Sequence, residues 1–178
     1  MVIVVKRRIG IYSGSFDPIH QGHLAFANEA LKACRLDEVI FLPEETPREK
    51  PNVATIETRV DLIKQEISKL PQLSVVRLHT SRFTVSKTLP ILQNMFPDSD
   101  FTLLVGSDII DTLRHWQNLD VLLGTVSLAI GMREGAKRTD VEAVLGQIGN
   151  DHNLTISYTL IYTDHGHLTS SSIRKVSA

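Results

Sequence analysis

The chain carries one cysteine, Cys34, so no internal disulfide can brace it. A lone thiol inside the apolar helical pattern "ALKACRL" reads as a small buried hydrophobe, and its solitude points to a reducing compartment. No apolar run approaches the ~20 residues that cross a bilayer. The opening "MVIVV" is too short for a secretory core, and "KRR" follows it instead of preceding it. Neither sign of charge dominates: 19 Lys and Arg against 20 Asp and Glu leave a net charge of −1. That balance removes any bulk electrostatic reason to expect nucleic acid or a membrane as partner. A site for a polyanion must therefore be local. Repeats, low-complexity stretches and linkers are also missing. The expectation is a single cytoplasmic domain over residues 1–178, long enough for a sizeable core. The sequence leaves its oligomeric state open.

What is present is an alternation. Apolar, β-branched runs predict strands at residues 9–14, 38–43, 73–78, 101–106, 126–132 and 154–162. Helical patterns fall between them, at 23–36, 55–70, 84–96, twice within 109–123, and at 140–149. In the first, Leu24, Ala27, Leu31 and Cys34 share a face. In the second, Ile56, Val60, Ile63 and Ile67 do. Pro90 fits only near the first turn of its helix, where amide hydrogens lack partners. Strands and helices alternating at this spacing give an α/β fold, a Rossmann-like parallel sheet with helices on both faces. Ligands on such a sheet bind at the carboxyl ends of the strands, where the strand order reverses. The polar punctuation at 14–23, 43–50, 81–84, 106–108, 133–135 and 168–174 is thus where function is expected.

The stretch "GSFDPIHQGH", Gly14 to His23, follows the first strand directly. Gly14 lets backbone amides approach an anion closely. His20 lies in the loop and His23 opens the next helix. If residues 20–23 form its first turn, both imidazoles face one side, at the positive end of the helix dipole. Neutral or protonated, they could donate to phosphate oxygens, which suits chemistry done by positioning and charge stabilisation. The other readings are a zinc pair, which lacks any nearby cysteine, and a structural turn with incidental histidines.

The wording of the stretch goes further than its spacing. It resembles the G-[GT]-[FS]-F-D-P-I-H-x-G-H signature of the nucleotidylyltransferase superfamily with the HxGH motif. "LTSSSIRK" (residues 168–175) resembles that superfamily's second signature, I-S-S-T-x-I-R, and "LLVGSDIIDTLRHW" its strand, G-x-D and downstream tryptophan. Within the superfamily, "SRFTVSKTL" and "REG" are most similar to the S-Y-T-[VI]-D-T-L and R-P-G segments of bacterial nicotinate mononucleotide adenylyltransferases.

The resemblance implies an adenylyl transfer from ATP to a phosphate-bearing acceptor, nicotinate mononucleotide first among them, in NAD biosynthesis. Mg2+ would be carried by the triphosphate. His20, His23 and Arg174 would be catalytic. Gly14, Ser15 and Phe16 would offer amides to phosphate, and Thr169, Ser170 and Ser171 would bind the β- and γ-phosphates. Gly106 and Asp108 would hold the adenosine ribose, although Asp108 could equally cap a helix. Trp116 would stack on the pyridine ring or serve as a core anchor. Thr84 would read the pyridine carboxylate through backbone and hydroxyl. Lys50, Arg59 and Arg133 would touch the acceptor, while Lys50 and Arg59 read as solvated surface if taken alone. Asp17 would orient the loop.

Three features depart from that pattern. The family's P-P-H-K is "TPREK" here, Lys87 stands where the acid of S-Y-T-x-D-T-L is found, and the chain ends soon after Arg174. A cytidylyltransferase for a phospho-alcohol, which also uses HxGH, remains an alternative at this point, as does a nucleotide-binding sensor without turnover. Pantetheine-phosphate enzymes carry threonine where His20 stands.

Overall fold

The computed structural model describes residues 6–47 and 52–164. Among them six strands form one parallel sheet in the order β3-β2-β1-β4-β5-β6. The strands are β1 (Arg7–Gly14), β2 (Glu38–Pro43), β3 (Leu73–Val75), β4 (Ser99–Gly106), β5 (Val126–Gly131) and β6 (Tyr158–Ile161). The helices are α1 (Gln21–Ala33), α2 (Ile56–Ile67), α3 (Thr88–Met95), α4 (Ile110–Leu113), α5 (Leu119–Thr125) and α6 (Arg138–His152), with a single 3-10 turn at Ser107–Ile109.

Each central strand buries both faces, as a parallel sheet under two helical layers requires. Val39 and Phe41 of β2 join the core beneath α1 and α2, with Leu24, Ala27, Ile63 and Leu104. Ile40 and Leu42 point the other way, into the core beneath α3, α4, α5 and α6, with Ile9, Leu103, Leu122 and Leu145. The period of two along the strand thus assigns alternate residues to opposite layers. Of the predicted faces of α1 and α2, Leu24, Ala27, Leu31, Cys34, Val60, Ile63 and Ile67 are buried, while Ile56, in the first turn of α2, is half-buried.

The strand order reverses between β1 and β4. β1 pairs with β2 on one side (Gly14 opposite Pro43) and with β4 on the other (Tyr12 opposite Leu104). The carboxyl end of β1, and with it the histidine stretch, therefore sits where an open α/β sheet forms its crevice.

The expected elements are found, with shifted ends. α3 starts at Thr88, four residues late, because Thr84–Lys87 close a turn in which the Thr88 amide donates to the Thr84 carbonyl at 2.8 Å. Pro90 then falls in the first turn, as its missing donor demands. β3 stops at Val75, after which Arg77 leaves the ladder to pair with Glu45 and Glu57. β6 is shorter than its apolar pattern, since Leu154 donates back to Gly149 to close the end of α6.

Candidate active site

His20 is the N-cap of α1, with extended backbone (φ −149°, ψ 171°). Its Nδ1 accepts the amide of Gly22 at 3.1 Å, and the His20 amide donates to Nδ1 of His23 at 3.2 Å. This is a capping box built from two imidazoles in place of the usual hydroxyl and carboxamide. It has an electronic consequence. An Nδ1 that accepts carries no proton, so each neutral ring bears its hydrogen on Nε2.

The rings stack with centroids 3.7 Å apart and planes at 31°. His20 is 9% exposed, and its Nε2 is buried without a hydrogen-bond partner among the described residues. Burial, and then the charge of Arg133, lower its pKa from 6.5 to about 4. His20 is therefore a neutral donor at physiological pH.

Aromatic rings hold His23 from the other side. Phe16 meets it edge-on at 5.1 Å and Tyr12 at 5.9 Å, and both rings also pack on Phe41. Phe16 is 1% exposed and adopts a left-handed backbone (φ 44°), which turns the chain from β1 towards the cis Asp17–Pro18 bond. Gly14 lies over this ring: a Cβ there would come within 3.3 Å of Phe16 Cζ. Burial also raises the pKa of Tyr12, keeping its phenol neutral.

Across the reversal, Gly106, Asp108 and Arg133 meet at the ends of β4 and β5. Asp108 does not cap a helix. Gly106 holds the N-cap of the 3-10 turn, no side chain bonds to it, and the Asp108 carboxylate instead pairs with Arg133 Nε at 3.4 Å. The Arg133 amide donates to Ser107 Oγ at 3.0 Å. A Cβ at position 106 would lie 2.2 Å from Asp108 Oδ1, so any other residue there would push the exposed Asp108 carboxylate aside.

Two acceptor-side readings change. Arg59, expected to touch the acceptor or lie in solvent, is 1% exposed. Its guanidinium donates to the carbonyls of Ser15 (2.7 Å), Glu44 (2.8 Å) and Ala54 (2.9 Å), so it holds backbone and is withdrawn from the surface. The Thr84 amide is already committed, donating to Thr88 Oγ1 at 2.9 Å, while the Thr84 hydroxyl is buried without a partner among the described residues. Trp116 is half-buried and packs against the core beneath α3 to α6, as its anchoring reading expects.

Lys50, Thr169, Ser170, Ser171 and Arg174 lie outside the described residues. Sequence reasoning missed Tyr12 and Glu44. Tyr12 is an aromatic two residues before Gly14, on the strand face that looks towards α1. Glu44 follows β2 directly, and its carboxylate lies 3.4 Å from the Phe83 amide and 3.5 Å from Ser13 Oγ. An open groove of ≈ 620 Å³ lined by Lys6, Arg8, Asp100 and Ser127 is at the amino ends of β1, β4 and β5, the wrong end of a parallel sheet for this chemistry.

Comparison with known proteins gives the arrangement its relatives. The cytidylyltransferase-like family model matches residues 11–176. A Bacillus licheniformis protein named "Probable nicotinate-nucleotide adenylyltransferase" is 34% identical over 134 residues, covering 72% of this chain and 71% of its own. A Shouchella clausii protein of the same name is 34% identical over 135 residues, with 73% and 70% covered. In three dimensions, Plasmodium falciparum nicotinic acid mononucleotide adenylyltransferase complexed with NaAD superposes with a TM-score of 0.76 over 95% of this chain and 83% of that one. Its 20% identity makes that a likeness of fold. Matched along nearly all of its length by the family model, and by relatives over most of theirs, the chain belongs to the cytidylyltransferase-like family, among the nicotinate-nucleotide adenylyltransferases.

Proposed function

We propose that this protein transfers the adenylyl group of ATP to the phosphate of nicotinate mononucleotide, forming the dinucleotide of NAD biosynthesis and releasing pyrophosphate. The observation that carries the reading is the buried Nε2 of His20, a neutral donor with no partner among the described residues, stacked on His23 at the N-terminus of α1. A buried donor left unmatched costs stability, and it is retained where a ligand supplies the acceptor. The relatives' shared name supports the choice of nucleotide and acceptor.

The chemistry needs no nucleophilic side chain. An oxygen of the acceptor phosphate attacks the α-phosphorus in line. The bond from that phosphorus to the bridging oxygen breaks, and pyrophosphate leaves with the electron pair. The protein's task is to align two polyanions and to absorb charge as it moves. His20 and His23 would donate from Nε2 to the triphosphate beside the positive end of α1. Gly14, Ser15 and Phe16 would line the phosphate path. Thr169, Ser170, Ser171 and Arg174 would complete it. Gly106 makes room for Asp108, whose carboxylate would accept from the ribose hydroxyls, and Arg133 would add positive charge near the phosphates. Trp116 and the Thr84 hydroxyl would meet the pyridine nucleotide, with Lys50 nearby.

No group of three His, Cys, Asp or Glu side chains among the described residues is arranged to hold a metal ion. Mg2+ fits this protein as part of the nucleotide substrate, neutralising triphosphate charge. No helix among the described residues is long and apolar enough to cross a membrane, and the one buried free thiol, Cys34, suits the cytoplasm.

An acceptor panel scored by pyrophosphate release tests the reading. ATP with nicotinate mononucleotide is expected to turn over best among nicotinate and nicotinamide mononucleotides, phosphopantetheine and glycerol phosphate. Turnover confined to CTP with a phospho-alcohol would replace the substrate assignment. ATP binding without pyrophosphate from any acceptor would make the protein a sensor.

A further inference from the structure

The three carbonyls that Arg59 collects come from two segments far apart in sequence. Ser15 belongs to the loop that carries the histidines. Glu44 and Ala54 are the two ends of the connection from β2 to α2. Ala54 is held twice: its carbonyl accepts from Arg59 Nε, and its amide donates to Asp17 Oδ1 at 3.3 Å. Asp17 is 6% exposed and lies three residues before His20. The same bonds therefore close the β2–α2 connection at its base and fasten it to the loop below the imidazole pair.

We propose that Arg59 is a positioning residue that couples the two sides of the site, locking the histidine loop to both ends of the β2–α2 connection through Ser15, Glu44 and Ala54. The inference rests on the transferase reading for which substrate each side holds. It adds that neither side can shift without the other.

The side-chain chemistry suits the task. A guanidinium presents its donors in a rigid planar fork, so one residue can fix three carbonyls in different directions at once. Lysine offers a single nitrogen at the end of a flexible stem and cannot span them. A role based on charge alone would survive that exchange, because the four carboxylates around Arg59, those of Asp17, Glu44, Glu45 and Glu57, would still meet a cation.

The test is Arg59→Lys in the pyrophosphate assay, with ATP and acceptor varied separately. With the clamp lost, kcat falls by about 10- to 100-fold, the scale set by displacing reacting groups by an ångström or less. KM rises for both substrates, while the variant still melts cooperatively. A folded variant with wild-type kcat and both KM values unchanged would overturn the proposal, as would a lowered melting temperature with unaltered kinetics. A second measurement needs no variant. In the wild-type protein, α,β-methylene-ATP should slow amide hydrogen exchange in residues 15–20 and also in 52–59. Protection confined to 15–20 would contradict the coupling. Wild-type protein that binds this analogue but never releases pyrophosphate from ATP would sink the transferase reading alone, and leave exchange to decide the clamp.

Discussion

The amide of His20 donates to Nδ1 of His23 at 3.2 Å, and the two rings stack 3.7 Å apart. One set of bonds thus does two jobs. It caps α1, and it commits both Nδ1 atoms as acceptors, so that both Nε2 atoms are donors. The residue types that make the site also start the helix that carries it, which ties local folding to the proposed chemistry.

Stability should depend on pH through His20. Its folded pKa of about 4 lies below the ordinary 6.5, so the unfolded chain takes up the proton first as pH falls. Stability is full above about 6.5 and drains away towards 4, by at most about 3 kcal/mol. His20→Asn keeps a capping acceptor and cannot titrate. Melting temperature recorded between pH 7 and 4 should therefore fall less steeply in that variant than in the wild type. Parallel curves would show that His20 is not the titrating group.

Gly106→Ala should raise KM for ATP by about tenfold, the worth of one hydrogen bond to a charged group, because the new Cβ evicts the Asp108 carboxylate. KM for the acceptor should move much less. Substrate titrations in the pyrophosphate assay read this directly, and equal shifts for both substrates would detach Asp108 from the nucleotide.

Thr84→Val should separate affinity from stability. The buried hydroxyl has no partner among the described residues, so its removal costs no hydrogen bond and spares a desolvation penalty of about 1 kcal/mol. The variant should melt at or above the wild-type temperature while KM for nicotinate mononucleotide rises. A destabilised variant with unchanged KM would mean that the hydroxyl serves the fold.

Trp116 is the only tryptophan, so its fluorescence reports one place. Nicotinate mononucleotide should quench it more strongly than phosphopantetheine or glycerol phosphate at equal saturation. The same response to all three would leave Trp116 as a core anchor only.

The sequence made some of this legible and hid the rest for physical reasons. Strand and helix alternation, and the face shared by Leu24, Ala27, Leu31 and Cys34, follow from local periodicity, and the structure keeps them. The meeting of His20 and His23 could be read from three-residue spacing at a helix start. Arg59 could not be read that way. An arginine before Val60 on an amphipathic helix looks solvated, and only the convergence of Ser15, Glu44 and Ala54 buries it. Asp108 was equally ambiguous. Its choice of Arg133 over a helix amide depends on β5 lying beside β4, a pairing made across the sheet. The committed amide of Thr84 likewise depends on where α3 begins.

His23→Asn isolates the chemistry from the cap. Asparagine Oδ1 lies as many bonds from Cβ as Nδ1 of His23 and can accept the His20 amide, but its shorter side chain brings no donor to the place of the imidazole Nε2. Pyrophosphate release from ATP and nicotinate mononucleotide should fall by at least about 100-fold, the cost of removing one preorganised transition-state donor, with the melting temperature nearly unchanged. Wild-type turnover in that folded variant would contradict the assignment of the imidazole pair to adenylyl transfer.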